Sequence, residues 1–294
     1  DLLTLDPGLA YTAGEYYTMM PLMAERYQLG GGDSGLTFKP VVVVRKDNTA
    51  IQSLEDLEGA RSCHTGVGMA AGWVYPVAEL IDAGVMGIAE CNVPVKSADA
   101  FFESMCAPGG LARFYNPFGN NPVSVCANCR GGYEDYCTGN DPYAGYEGAF
   151  ECMASGAGDV AFVRDHTIAE ATANSTHNPN DFELLCLDGS RAPWDQSGLC
   201  NWGEVASHVV MTSAIRDSAL RADYTMLLDL LSRDFGDEGA HKDIFELFTS
   251  VNFGRANLLF SDATRELRDV GSRDSYYTWV GEEFREKLLV PDRK

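Results

Sequence analysis

The chain has 294 residues, of which 22 are Lys or Arg and 43 are Asp or Glu, giving a formal net charge of −21. This acidic excess argues against nucleic acid or an anionic membrane as the partner. No apolar run reaches the ~20 residues that a membrane-spanning helix needs, so we expect no membrane segment in this stretch. The apolar content is sufficient for one large or two medium globular domains.

The first predicted element is the end of a strand, Leu2 to Leu5, which runs into Asp6 and a Pro-Gly turn. An aspartate in this position is usually a turn or helix-cap residue, but it is also where a ligand would be presented. The continuous apolar run Val41 to Val44 is typical of a strand buried on both faces. Such strands belong to α/β sheets.

A glycine-rich stretch from Ser62 to Trp73 comes next, with Thr65 and two glycines ahead of a helix predicted over 73–83. Backbone N–H groups at a helix N-terminus and the helix dipole attract anions. A small anion is therefore the first ligand that the sequence suggests. The alternative is a glycine turn that serves only packing, because such turns are common.

The rest of the chain alternates between helical and strand patterns, with one long irregular region. Residues 106–148 are rich in Gly, Pro, Asn and Cys without periodicity, which indicates a loop region closed by disulfides. The predicted helices cover 98–105, 146–156, 218–235 and 282–289. The predicted strands cover 158–163, 182–187 and 207–212.

The chain contains nine cysteines, which fit the disulfide framework of a secreted protein. A tetrahedral zinc site is the alternative, although the second Cys-x-x-Cys pair of a zinc ribbon is missing. Asn174-Ser175-Thr176 is an N-glycosylation acceptor and agrees with secretion. We therefore expect an extracellular glycoprotein, secreted or at the cell surface. The candidate zinc ligands are Cys106, Cys126, Cys129 and Cys137.

Four features follow one another along the chain: Asp6 at a strand end, the glycine-rich stretch, Tyr146 at the start of a helix and His208 at the start of a strand. Together with their local sequences, they resemble the transferrin family over nearly the whole chain. The blocks that carry the resemblance are Cys63-His64-Thr65-Gly66 through Gly72-Trp73, Gly145-Tyr146 through Cys152, Gly156 to Val163, Leu184 to Arg191 and Ser207 to Val210.

The resemblance implies one transferrin lobe, an α/β fold similar to periplasmic binding proteins, in which two α/β domains with mixed sheets surround an interdomain cleft. We expect a discontinuous first domain of residues 1–38 and 205–294, incomplete at its N-terminus. Residues 39–204 would form the second domain, which carries the anion loop and the disulfides. The resemblance further implies that the first strands and helices of the lobe precede Asp1 in a longer chain with other lobes.

Family members bind ferric iron together with a carbonate anion. At the matching positions, the metal ligands implied by the resemblance are Asp6, Tyr146 and His208. Anionic oxygen ligands suit a hard trivalent cation, and loss of the phenolic proton on binding makes affinity fall with acid. The carbonate contacts implied by the resemblance are Thr65 and the backbone N–H groups of Ala71 and Gly72.

Two ligand positions depart from the family pattern. Phe38 stands where the family has its first tyrosine ligand, and Met69 replaces the arginine that holds the carbonate. Losing a bidentate guanidinium removes a strong interaction with the anion. The sequence leaves open whether Tyr27 or a nearby tyrosine substitutes for the missing ligand. The lysine pair that opens some lobes in acid falls on Arg164 and Ser261, so that switch is expected to be absent.

The resemblance also implies how the cysteines pair. Cys91 is left over, because its partner in some family lobes lies close to the C-terminus of the lobe. The implied disulfides are Cys63–Cys152, Cys106–Cys129, Cys126–Cys137 and Cys186–Cys200.

The leading hypothesis is a secreted transferrin-like lobe that binds ferric iron and carbonate for iron transport or sequestration, weakened at Phe38 and Met69. The alternative is a lobe that has lost iron binding and acts as a structural or protein-interaction module for a receptor or scaffold partner. An enzyme is not expected, because the sequence has no Gly-x-Ser-x-Gly, His-Glu-x-x-His or phosphate-loop motif.

Overall fold

The computed structural model describes residues 1–29, 32–132, 137–173, 175–254 and 256–292. The chain divides into two compact units, each of mixed α/β content. Unit 1 comprises residues 1–38 and 205–282, and unit 2 comprises residues 39–204 and 283–294. Within the described residues, every helix is too short or too polar to cross a bilayer.

The strands and helices are numbered in chain order. The strands are β1 (Leu3–Leu5), β2 (Met19–Leu29), β3 (Gly32–Gly35), β4 (Thr37–Phe38), β5 (Pro40–Arg45), β6 (Arg61–His64), β7 (Ser104–Cys106), β8 (Val160–Arg164), β9 (Phe182–Leu185), β10 (Arg191–Pro193), β11 (Val205–Ala206), β12 (Val209–Ser213) and β13 (Thr264–Asp269). The α-helices are α1 (Pro7–Tyr17), α2 (Tyr75–Asp82), α3 (Pro94–Phe101), α4 (Gly145–Ala154), α5 (Thr167–Ala173), α6 (Ser218–Phe235) and α7 (Tyr276–Leu289).

Unit 1 is built on an antiparallel sheet in the order β1-β12-β2-β13, with β3 pairing to β2. Its core includes apolar side chains from the sheet, from α6 and from the segment between α6 and β13, and each such side chain gains about 1.5–3 kcal/mol on burial. A separate pair of short strands, β4 and β11, places Phe38 opposite Val205. The buried core residues are Leu22, Met23, Val210, Leu228, Leu247, Phe248 and Leu267.

Unit 2 is built on a mixed sheet in the order β10-β9-β5-β8-β6-β7. Its central strand β5 is buried from Pro40 to Val44, as the apolar run predicted. β5 is antiparallel to β8 and β9, whereas β6 is parallel to β7 and β8. The mixed α/β content of separate sheets confirms the predicted fold class.

The bounds of one predicted helix were wrong. The helix predicted over 98–105 begins and ends earlier, as α3, because Pro94 favours the first position of a helix. Met105 instead lies in strand β7. Residues 283–294, which the sequence analysis placed in the first domain, belong to compact unit 2. There Lys287 Nζ lies 2.7 Å from Glu79 Oε1 and 3.1 Å from Asp82 Oδ2.

Four disulfides lie in unit 2, in the pairs that the resemblance implied: Cys63–Cys152, Cys106–Cys129, Cys126–Cys137 and Cys186–Cys200. The zinc alternative was wrong, because its four candidate sulfurs are used in two of these bonds. Cys91 is exposed and has no disulfide in the part of the chain that is described. The predicted glycosylation site, Asn174, lies outside the described residues.

Candidate metal and anion site

In unit 1, the strand register brings Asp6 and His208 together. Leu5 of β1 pairs with Val209 of β12, so the residue after Leu5 and the residue before Val209 are neighbours. Asp6 caps α1, where Oδ1 accepts a hydrogen bond of 2.9 Å from Gly8 N. Its other oxygen, Oδ2, lies 3.7 Å from His208 Nε2. Two of the predicted metal ligands are therefore adjacent within this unit.

A second carboxylate, Glu25, lies on the other side of the same imidazole. Its Oε2 is 3.8 Å from His208 Nδ1, and the residue is fully buried. The carboxylate accepts hydrogen bonds from Tyr27 Oη at 3.0 Å and Thr264 Oγ1 at 2.8 Å. Glu25 is not among the site residues predicted from the sequence. The feature that could have indicated it is a charged residue next to the apolar run Leu22 to Ala24 in a strand. Acidic groups on both sides of His208 favour a cation at this place.

Two aromatic side chains, Phe38 and Tyr27, lie beside His208, and neither was predicted as a metal ligand. Phe38 is buried, and its ring centroid is 5.9 Å from that of His208 and 6.3 Å from that of Tyr27. Its side chain supplies volume and no oxygen. The Tyr27 hydroxyl donates to Glu25 and accepts from His208 N at 3.1 Å, so it supports the neighbouring side chains.

In unit 2, the predicted anion loop connects β6 to a π-helical turn, Ala70–Val74, that continues into α2. Thr65 is 2% exposed, and within the described residues its Oγ1 has no hydrogen-bond partner. A Cβ built on Gly72 would lie 1.9 Å from this oxygen. Ala71 and Gly72 are in the first turn, where N–H groups have no partner inside the helix. A buried hydroxyl and first-turn N–H groups are hydrogen-bond donors that fit a carbonate.

His64 holds the far end of this loop. Its Nδ1 lies 2.9 Å from Gly72 O, and its Nε2 lies 2.9 Å from Ser62 Oγ. Because a carbonyl only accepts, Nδ1 carries the hydrogen and Nε2 accepts from the serine hydroxyl. The ring stacks on Phe162 at 4.9 Å. Complete burial lowers the pKa of His64 to about 4, so the side chain is neutral at physiological pH.

Tyr146 lies at the start of α4 and is directly connected to the anion loop. Gly145 N donates to Thr65 O at 2.8 Å, and the Cys63–Cys152 disulfide joins β6 to the same helix. The Tyr146 ring is buried, with the Arg164 guanidinium 4.4 Å above its centroid. Unit 2 therefore brings together the third predicted metal ligand and the predicted anion contacts.

Met69 precedes the π-helical turn and is partly buried. Its carbonyl accepts from Trp73 N and Val74 N, both at 3.0 Å. The thioether carries no charge, and its Sδ would contact a Cβ at Gly66 at 3.4 Å. The anion loop thus keeps its hydroxyl and its N–H groups, while this position supplies no cation.

Comparisons with known proteins identify the family of the chain. The family model described as Transferrin matches residues 1–289, so the chain belongs to the transferrin family. It is 35% identical to melanotransferrin of Homo sapiens over 97% of this chain and 37% of that protein. It is 36% identical to transferrin of Blaberus discoidalis over 92% of this chain and 38% of that protein. It is 35% identical to ovotransferrin of Gallus gallus over 97% of this chain and 38% of that protein. The chain spans less than two-fifths of the length of these relatives.

Proposed function

We propose that this chain binds one ferric ion together with a carbonate anion, as a carrier and not as an enzyme. In this proposal, the metal ligands are Asp6, Tyr146 and His208. Thr65 and the backbone N–H groups of Ala71 and Gly72 bind the anion. Carboxylate and phenolate oxygens with one imidazole are a donor set that suits a hard trivalent cation. The bound anion would complete the coordination of the metal.

The observation that carries the proposal is the Thr65 hydroxyl, which is buried against Gly72 and hydrogen-bonded to nothing in the described part of the chain. Burying a hydroxyl without a hydrogen-bond partner costs about 1–3 kcal/mol. A ligand that accepts a hydrogen bond from the Thr65 hydroxyl would remove this cost. The Gly145–Thr65 hydrogen bond holds Tyr146 beside the same loop. An anion bound there would therefore lie next to a metal ligand.

Phe38 and Met69 lower the affinity in this proposal. The first removes a phenolate from the metal, and the second removes a positive charge from the anion loop. The second candidate function rests on Phe38, whose ring packs against His208. In that case the lobe has lost iron binding and serves as a structural or protein-interaction module, for example for a receptor.

We further propose that the protein works outside the cell, in iron transport or sequestration, and that the parent chain carries further lobes. Four disulfides support an oxidising location, because such bonds are rare in cytosolic proteins. Glycosylation at Asn174 belongs to the same proposal. The partial coverage of the relatives supports further lobes.

A visible absorption titration tests the proposal. The protein is titrated with ferric nitrilotriacetate in the presence and absence of bicarbonate. We expect a tyrosinate-to-iron charge-transfer band that requires bicarbonate and disappears in Tyr146→Phe. Tyr143→Phe is the matched control, because the Tyr143 hydroxyl has its own partner, Ser155 Oγ, at 3.1 Å. Absence of the band at every bicarbonate concentration would reject iron binding and leave the module hypothesis.

A further inference from the structure

A second tyrosine of unit 2 lies against the anion loop. Gly68, the residue before Met69, has a left-handed backbone with φ of 87°. A Cβ built on Gly68 would lie 2.0 Å from Tyr115 Oη and 2.8 Å from its Cζ. The phenol hydroxyl therefore occupies the space beside Gly68 where any other residue would begin its side chain. This tyrosine is not among the site residues predicted from the sequence.

The backbone of Tyr115 is fixed by a buried asparagine. Asn121 Nδ2 donates to Tyr115 O at 2.9 Å and to Gly110 O at 2.8 Å, and Asn121 is 8% exposed. Tyr115 N in turn donates to Ala112 O at 2.9 Å. These bonds hold residues 108–121, here called the cover loop, in one conformation. The position of the Tyr115 ring is thereby defined although the ring is only half-buried.

The cover loop is attached to the anion loop at its own start. Val67 N donates to Pro108 O at 2.8 Å, and a Cβ on Gly66 would lie 3.4 Å from the same carbonyl. The preceding strand β7 is parallel to β6, with Cys106 opposite Cys63. The two loops therefore leave neighbouring strands at the same end and run beside each other.

We propose that the Tyr115 hydroxyl donates a hydrogen bond to the anion and so compensates in part for the uncharged side chain at Met69. A phenol is a donor at neutral pH, since its ordinary pKa is about 10. It lies beside Gly68, one residue from the position whose side chain binds the carbonate in the family pattern. A neutral donor gives less binding energy than a guanidinium but keeps the direction of the bond. This inference rests on the proposed function, because it assigns one more donor to the same anion.

The test is a bicarbonate titration of the iron-free protein followed by ultraviolet difference spectroscopy, on wild type and three variants. Tyr115→Phe keeps the ring and its packing, Thr65→Val removes the proposed central donor, and Tyr143→Phe is the control. We expect Tyr115→Phe to weaken bicarbonate binding about tenfold, as for loss of a hydrogen bond to a charged group. We expect Thr65→Val to weaken binding at least as much and Tyr143→Phe to leave it unchanged. Unchanged thermal unfolding of Tyr115→Phe would confirm that the fold is intact.

The outcomes separate the two proposals. If Thr65→Val weakens binding and Tyr115→Phe does not, the role of Tyr115 is wrong and the anion site stands. If wild type binds no bicarbonate without iron, the inference about Tyr115 is wrong, while the ferric titration still tests the proposed function. If Tyr115→Phe leaves bicarbonate binding unchanged but reduces the ferric charge-transfer band, Tyr115 is a metal ligand, which also overturns its assignment as an anion donor.

Discussion

The Thr65 hydroxyl and Gly72 are in direct contact across the anion loop, because a Cβ at Gly72 would lie only 1.9 Å from Oγ1. We therefore expect Gly72→Ala to displace Thr65 and abolish bicarbonate binding. Overpacking of a buried site also costs about 1–3 kcal/mol of stability. Bicarbonate titration and urea unfolding measure the two effects. Gly87→Ala is the matched control, since a Cβ there meets nothing within 4 Å.

Unchanged bicarbonate affinity in Gly72→Ala would show that the anion does not use Thr65. A loss of the same size in Gly87→Ala would show that the effect is not specific to the loop.

His64 predicts how stability depends on pH. Its pKa is lowered from 6.5 to about 4 by burial, so the unfolded chain takes up a proton at higher pH than the folded protein does. The contribution of neutral, buried His64 to the free energy of unfolding is fully present above pH 6.5. It is lost as the pH falls from 6.5 towards 4. The total change is ~3 kcal/mol at 1.36 kcal/mol per pKa unit. Urea unfolding at a series of pH values measures it.

Replacing the imidazole tests the assignment of this effect. His64→Asn cannot be protonated and keeps an amide donor for Gly72 O, so the part of the pH dependence due to His64 should disappear. His241→Asn is the control, because His241 is exposed. An unaltered pH profile in His64→Asn would contradict the account.

Glu25 should be the most sensitive carboxylate of unit 1. Glu25→Gln keeps the volume but replaces the charged acceptor of the Tyr27 and Thr264 hydroxyl groups with a neutral amide, of which only one atom can accept. We expect a loss of about 1–3 kcal/mol, the cost of leaving buried partners unsatisfied. Urea unfolding measures the loss. Glu266→Gln, at a partly exposed ion pair with Arg26, should cost at most about 1 kcal/mol. Equal effects of the two variants would reject a special role for Glu25.

The Cys63–Cys152 disulfide, which joins β6 to α4, should contribute more to the free energy of unfolding than the Cys186–Cys200 disulfide. Cys63–Cys152 spans 89 residues and Cys186–Cys200 spans 14. Chain entropy alone gives about 4–5 kcal/mol for the first and about 3 kcal/mol for the second. Double alanine variants, compared by urea unfolding, should keep this order. Only removal of Cys63–Cys152 should also weaken bicarbonate binding. A larger loss of stability on removal of Cys186–Cys200 would contradict the account.

The sequence predicted what depends on local pattern. The apolar run Val41 to Val44 is a central strand, and the helix over 218–235 has the predicted bounds. The resemblance supplied the four disulfide pairs. The positions of Glu25 and Tyr115 could not be predicted, because they depend on register and on loop conformation. Glu25 lies beside His208 only because β2 and β12 pair, with Ala24 opposite Val209.

The two departures from the family pattern also became clearer in three dimensions. Phe38 lies in strand β4, which pairs with β11, and its ring packs against His208. A substitution at Phe38 therefore also changes the surroundings of the predicted metal ligand His208. We expect Phe38→Tyr with Met69→Arg to raise ferric affinity above that of wild type in competition with nitrilotriacetate. No gain from the double substitution would show that another feature limits binding.

Bicarbonate-dependent iron retention tests the central claim most directly. Wild type, Tyr146→Phe and Tyr143→Phe are loaded with ferric nitrilotriacetate, dialysed with or without bicarbonate, and analysed for iron by atomic absorption. The account predicts retained iron, up to one ion per chain, in wild type and Tyr143→Phe only when bicarbonate is present, and none in Tyr146→Phe. Equal retention by Tyr146→Phe, or retention independent of bicarbonate, would contradict it.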